Sequence, residues 1–221
     1  MNTDIQKYAD VAIAEVLNPA LAVTRQYLET NEIAFENGKP TIERLDLNRS
    51  DNLVAVYFPF KNERFFLQVN VTKAPVVKVD FVWTENGTST YLTAVSDELT
   101  FTELSHGFPF QPLTGWSKGD TKKDGKSQYT FSRLKFNIFN SEAYDLNQQL
   151  DLLLNELEKD VKSVKRLTEK ASTIIVVCRH QYVSGNAGIH FDIQTINRLS
   201  NLNIGIDIDT YIAGNAIKDL T

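Results

Sequence analysis

The stretch DLNQQLDLLLNELEKDVKSVKRL, residues 145–167, followed shortly by TIIVVCRH, residues 173–180, decides the fold class. Leu146, Leu150, Leu153, Leu154, Leu157, Val161, Val164 and Leu167 recur at spacings of three and four, which puts them on one face of a helix. Asp145 followed by Gln148 supplies a capping pattern at its start. At 1.5 Å per residue one unbroken helix here would run ~35 Å, enough to cross a sheet. Ile174 to Cys178 is apolar throughout, as expected of a strand covered on both faces. A long amphipathic helix beside a buried strand predicts an α+β or α/β layer.

Downstream, a glycine-containing loop (Gly185, Gly188) leads to Asp192, which is placed to cap a helix carrying Ile193, Ile196 and Leu199. Ile204, Ile206 and Ile208 then alternate with Gly205, Asp207 and Asp209 as a last strand. Upstream, Phe131 to Phe139 reads as a strand. A Pro-, Gly- and Lys-rich loop precedes it, and Thr100 with Glu103 forms a capping box on a short helix ending at His106 and Gly107.

The first half reads differently. Ile5, Tyr8, Ala12 and Val16 have helical spacing. Asn18-Pro19 breaks that pattern and is read as the cap and first position of a second helix carrying Leu21, Thr24, Tyr27 and Leu28. Strands follow. Ile33 to Glu36 and Lys39 to Leu45 read as a hairpin about Asn37-Gly38, which suits a type I′ turn; Val54 to Phe60 and Val77 to Trp83 alternate, and Phe65 to Val71 is a strand between them. Asn86-Gly87 is read as one more turn, continuing the meander into Tyr91, Thr93 and Val95. The aromatic set Phe58, Phe60, Phe65, Phe66, Phe81 and Trp83 can form an exposed binding face, but is expected more often to form the core against the two helices, with some members at the junction of the two halves. The expected architecture is α+β. Residues 1–87 form a helical hairpin on an antiparallel meander. Residues 88–221 form a β-α-β-α-β-α-β, ferredoxin-like domain with one long helix on its sheet, and the two sheets can be continuous.

Composition bounds the function. The chain has 221 residues, 42% hydrophobic and 23% charged, with a formal charge of −5. Residues 1–85 carry nine basic and twelve acidic side chains and the remainder fourteen and sixteen, so neither half has the positive footprint of a nucleic-acid binder. No window holds the ~18 apolar residues of a membrane span, and the polar start MNTDIQKYAD lacks the apolar core of a signal peptide. A cytoplasmic protein is expected. Cys178, the single cysteine, excludes an intrachain disulfide and a cysteine-based zinc site.

Three places invite a chemical reading. The loop Trp116, Lys118, Gly119, Asp120 offers an aromatic beside a basic–acidic turn that can grip a ligand. Equally, Trp116 can plug the core, Gly119 supply a positive φ and Asp120 hold the loop backbone. His190 with Asp192, and Asp207 with Asp209, point the same way within each pair; convergence would make a His-plus-carboxylate metal site. Against that, Asp192 suits a helix cap and the other two suit a solvent-facing strand edge. Cys178 and His180 lie two apart on a strand, and a buried thiol there would react poorly. No nucleophile elbow, phosphate-binding glycine loop or His-Glu-x-x-His is present, so no catalytic residue and no cofactor is expected.

These landmarks, from TFTELSHGFPFQP through Trp116-x-Lys-Gly-Asp, the long helix, TIIVVCRH and the closing Asp209-Thr210-Tyr211, resemble the bacterial domain-of-unknown-function family 4279 over residues of about 90 to 212. Many members carry a further tryptophan after the loop, where Tyr129 or Phe131 stands here. NGKPTIERLDL and VAVYFPFKNERFFLQV look like the amino-terminal extension of longer members. The resemblance implies an α+β, cytoplasmic, bacterial protein without assigned catalytic residues. Its members' association with toxin loci suggests an immunity protein. The expected function is a non-catalytic interaction module with a basic protein partner such as a toxin, no nucleic acid and no membrane. The alternative is a small-molecule-binding or metal-dependent hydrolytic domain using the Trp116–Asp120 loop or the His190/Asp192/Asp207/Asp209 cluster.

Overall fold

The computed structural model describes residues 3–49, 51–185 and 188–217. It is a mixed α+β structure with two main antiparallel-rich sheets, each carrying its helices on one face. Helices α1 (Thr3–Leu17) and α2 (Ala22–Thr30) open the chain. A short ladder follows, β1 (Phe35–Glu36) against β2 (Lys39–Pro40), turned by Asn37 and Gly38 at φ 52° and 78°. Two successive positive φ angles are what a type I′ turn requires.

Strands β3 (Arg44–Asp46), β4 (Leu53–Pro59), β5 (Phe66–Thr72) and β6 (Val79–Glu85) form the first sheet in that order, all antiparallel. One face buries Val54, Val56, Phe58, Leu67, Val69 and Val71 against Tyr8, Ala12 and Val16 of α1. Helix α2 packs over β6 and does not begin at Pro19. Asn18 is not its cap. Instead the buried Glu15 carboxylate accepts from the backbone N–H groups of Ala20 and Leu21, each at 3.1 Å, and so holds the helix entry from a distance.

The strict alternation expected over Val77 to Trp83 is broken. Asn70 pairs with Phe81 but Val71 pairs with Val79, so Asp80 is an extra residue in β6. A bulge inverts the facing of everything beyond it. Val82 therefore enters the core, while Phe81 and Trp83 stack edge to face on the opposite side, centroids 5.6 Å apart.

Gly87 does not turn the chain back. Strand β7 (Gly87–Ser96) follows β6 directly but pairs with neither β5 nor β6, and the chain passes from one sheet into the other. The second sheet comprises β7, β8 (Leu113–Trp116), β9 (Ser132–Phe136), β10 (Ser172–Tyr182) and β11 (Gly205–Ala213), in the order β11-β10-β7-β9-β8. All its pairings are antiparallel except β10–β11, which is parallel and bridged by helix α6 (Ile193–Leu202). Strand β8 was not expected. It occupies the stretch read as loop and makes a hairpin with β9, so Trp116 ends a strand and β8 reaches β9 without an intervening helix.

The expected single long helix is two. Helix α4 (Leu146–Leu157) passes through a 3-10 turn, Glu158–Asp160, into α5 (Val161–Lys170). At the break Asp160 has non-helical angles (φ −144°, ψ 74°), and its carboxylate accepts from Ser163 N–H at 3.1 Å, a new N-cap. Val161, first in α5, is thrown outward, whereas Val164 and Leu167 rejoin Leu150, Leu153, Leu154 and Leu157 over Leu92, Ala94, Leu134, Phe136, Ile175 and Val177. Helix α3 (Phe101–Ser105) carries the expected capping box from Thr100 and Glu103.

The halves are joined by more than the chain. Tyr182, at the end of β10, lies in the first half's core with its ring 5.1 Å from that of Phe65, and Ala213 packs there too. Arg44 donates to Ala143 O at 2.7 Å, and Arg64 pairs with Glu142.

Candidate functional site

Each member of the Trp116–Asp120 signature has an intramolecular partner. Ser117 N–H donates to the Asp120 carboxylate at 2.7 Å, and Asp120 N–H returns to Ser117 O at 3.1 Å. Gly119 has φ 88°, where a side chain is strained, and its N–H donates to Tyr129 O at 2.9 Å. Lys118 N–H donates to Ser132 Oγ at 2.8 Å, and its Nζ reaches Asp97 O at 3.2 Å. Trp116 donates from Nε1 to Phe131 O at 3.0 Å and stacks on Tyr129 at 4.2 Å and 15°. It is half-buried and lies outside the hydrophobic clusters, so it is no core plug; it clamps the β8–β9 hairpin. Arg133 sits 5.4 Å from Trp116 and 5.5 Å from Tyr91, and Lys135 3.9 Å from Tyr91, a run of cations and rings across the face away from the helices.

The four residues of the candidate metal site are not gathered. Asp192 caps α6 by accepting from Thr195 N–H at 2.7 Å, and this bond holds its carboxyl below the usual range. Ile206 and Ile208 pack toward the helix-covered core, so the alternating Asp207 and Asp209 project from the other face of β11. Among the described residues no three His, Cys, Asp or Glu side chains are placed to hold a metal ion. Cys178 is half-buried on that same outer face. His180 stacks on Tyr211 at 5.0 Å and 14°, and burial, then Arg64, push its pKa down.

A different cleft emerges where β6 passes into β7. Its volume is about 140 Å3, lined among others by Glu85, Asp145, Asn147, Arg179 and His190. An adjoining hollow of about 200 Å3 runs on to Asp151, Asp192 and Arg198. Arg198 closes its floor, donating to Glu158 at 2.7 Å and Asp151 at 2.6 Å. Burial pushes the Glu85 carboxyl up to about 7, with the Asp145 charge adding to the shift and the Asn86 N–H and Arg179 opposing it. A carboxyl of that kind can exchange a proton near neutral pH. One sequence signal pointed here. Arg179 has the same parity as Ile175 and Val177, so an arginine falls on the buried face of an apolar strand and needs a carboxylate nearby.

The linkage has a definite sign. Glu85 ionises near 4.5 in the unfolded chain and near 7 in the folded one. Between those values the unfolded state holds fewer protons, so stability falls as pH rises through the window. Allowing for its partial exposure, the loss is on the order of 2 kcal/mol. Glu85→Gln is expected to flatten this slope, measured by urea unfolding at pH 5 and pH 8. A variant with the wild-type slope would refute the assignment.

Fold and sites together define a mixed α+β protein whose most recognisable loop is held by internal hydrogen bonds and stacking. The chain belongs to the family described as domain of unknown function (DUF4279), whose model matches residues 86–213. The match begins at the crossover between the two sheets and ends with the last residue of β11. No curated protein and no solved structure matches the chain. Among the described residues no helix is long and apolar enough to cross a membrane.

Proposed function

We propose that this chain is a bacterial, cytoplasmic, non-catalytic protein-interaction module that binds a basic protein, in the manner of a toxin-neutralising immunity protein. In this reading β7 to β10 form a ferredoxin-like unit extended by β11, and α1 and α2 form a helical hairpin on the first sheet. The observation that carries it is the exposed flank made by α6 and β11. On the face carrying α6, Ile193, Ile196 and Ile212 are 67%, 49% and 60% exposed; on the opposite face of β11, Tyr211 is 51% exposed alongside the exposed carboxylates of Asp207 and Asp209. Large apolar side chains left exposed along one edge of a sheet, with charges of one sign on its other face, are the make-up of a recognition edge rather than of an inert one. The chain's net charge of −5 favours a basic partner and speeds its encounter.

The test is co-expression with the product of a neighbouring toxin-like gene. Cells carrying the intact protein are expected to survive, and the pair to co-elute in gel filtration. Survival should drop with Ile193→Asp plus Ile196→Asp, which alter exposed positions and leave the core untouched. Lack of both protection and complex formation with every neighbouring product would refute the reading.

A second reading, a small-molecule-binding domain, is favoured by the cleft at Glu85 and Arg179. It requires a ligand whose binding raises the melting temperature of the wild type and not of Glu85→Gln.

A further inference from the structure

We infer that β11 is a strand-addition edge that accepts an extended, antiparallel segment of the partner, one with basic residues at alternate positions. The inference rests on the interaction-module reading above and specifies its mode. Strand β11 runs nine residues, Gly205–Ala213, and among the described residues it pairs in the sheet with β10 alone. Its other side is a row of main-chain donors and acceptors, the template on which a further strand can be laid.

Proteins commonly guard such an edge with charge, a proline, a bulge or a cover. Asp207 and Asp209 guard only the first part of β11. The run Thr210-Tyr211-Ile212 is exposed, holds no charge and no proline, and pairs with β10 in unbroken register from Gly205 to Ala213. Among the described residues no element covers it. An edge that is long, regular and apolar at one end is built to be paired.

The side chains specify the occupant. Asp207, Asp209 and Tyr211 project to one face of the sheet, and Ile206, Ile208 and Ile212 to the other. In an antiparallel partner, residues opposite Asp207 and Asp209 share their face and are stabilised as Lys or Arg. The residue opposite Ile212 lies on the face carrying α6, where Ile193 and Ile196 are also exposed, and is stabilised as an apolar residue. Read from its own amino terminus, the partner segment therefore carries an apolar residue, a basic residue three positions later and a second basic residue two positions after that. A second copy pairing through the same edge supplies no basic residue to face Asp207 or Asp209, and the register centred on Ile208 brings the two aspartates together, so a basic segment is the favoured occupant.

The experiment titrates isotope-labelled protein with nine-residue peptides and follows backbone amide shifts. The probes are a peptide with this apolar–basic–basic spacing, the same peptide with glutamates for the basic residues, and a version N-methylated along its edge-facing backbone. The basic peptide is expected to shift β11 and the exposed side of α6 alone. The glutamate peptide should bind about tenfold more weakly or worse, and the N-methylated one not at all. In Asp207→Lys plus Asp209→Lys the preference between the charged peptides should reverse. Shifts confined to another surface, equal binding of both charged peptides, or full binding of the N-methylated peptide would overturn the inference. So would a dimer through β11 seen by sedimentation. The two readings fail separately. A toxin-like partner that co-elutes while β11 amides stay unshifted removes strand addition and leaves the module. Specific peptide binding without any protective partner leaves the edge and removes the immunity role.

Discussion

Gly87→Val is expected to abolish folding to the native state, or to lower stability by about 3 kcal/mol or more. A Cβ at Gly87 would lie 1.5 Å from the carbonyl oxygen of Arg64, and that obstacle is backbone, which no rotamer change can clear. Neither partner has room to retreat. Thr88 N–H donates to Glu142 O at 3.0 Å, fixing the start of β7, while Arg64 leads into β5 and is held by Glu142 through its side chain. Gly119→Ala is the control. Nothing lies within 4 Å of a Cβ there, and only its φ of 88° opposes the change, a penalty of about 1–2 kcal/mol. Urea unfolding of both variants gives the comparison. If Gly87→Val were as stable as Gly119→Ala, the close approach of the two halves at Arg64 would be wrong.

Tyr182→Ala is expected to cost about 3–5 kcal/mol, the range for deleting a large buried aromatic. The ring is 1% exposed and packs at 5.1 Å on Phe65 and 5.9 Å on Tyr27. Its hydroxyl donates to Asn215 O at 2.6 Å and accepts from Asn31 Nδ2 at 3.4 Å. Tyr182→Phe keeps the ring and should cost only about 1 kcal/mol, the ordinary net contribution of one hydrogen bond. The telling readout is where the damage appears. Although Tyr182 belongs to the second sheet, hydrogen exchange should quicken first in β4, β5 and α1. Exchange confined to β10 and β11 would contradict the shared core.

The parts of this fold that sequence makes legible are those governed by local chemistry. Asp192, Thr100 and Asp145 cap the helices they precede, because an oxygen three residues before an N–H satisfies it whatever surrounds it. Asn37-Gly38 turns as expected for the same reason. The misread places are those where a distant group decides. Glu15, not Asn18, holds the entry to α2. Asn86-Gly87 has the composition of a turn, yet its glycine is required by the Arg64 carbonyl. The break at Asp160 hid behind a leucine stripe that keeps its spacing on both sides, although Asp160 and Ser163, three apart, are themselves a cap signature. Strand β8 is four residues between a proline and a tight turn, too short for alternation to register.

The candidate sites divide in the same way. The residue types at Trp116 to Asp120 already specify a turn, and the structure supplies a partner for each. Convergence of His190 and Asp192 with Asp207 and Asp209 depended on which face of β11 the aspartates take, and the packing of Ile206 and Ile208 decides it. Of the cleft at Glu85 only the buried-face parity of Arg179 is legible in sequence; its other walls, from β6, α4 and the loop at His190, are brought together by the crossover between sheets.

Tyr182 also sets a timetable for synthesis. Ribosomes deliver the amino-terminal half first, yet that half must wait for a ring nearly a hundred residues beyond its last strand, and for Asn215 to latch its hydroxyl. Until then α1, α2 and β4 to β6 form a box without its lid, with Phe60 and Phe65 facing an empty place. The first sheet's core is thus completed only once the chain has been made as far as Asn215.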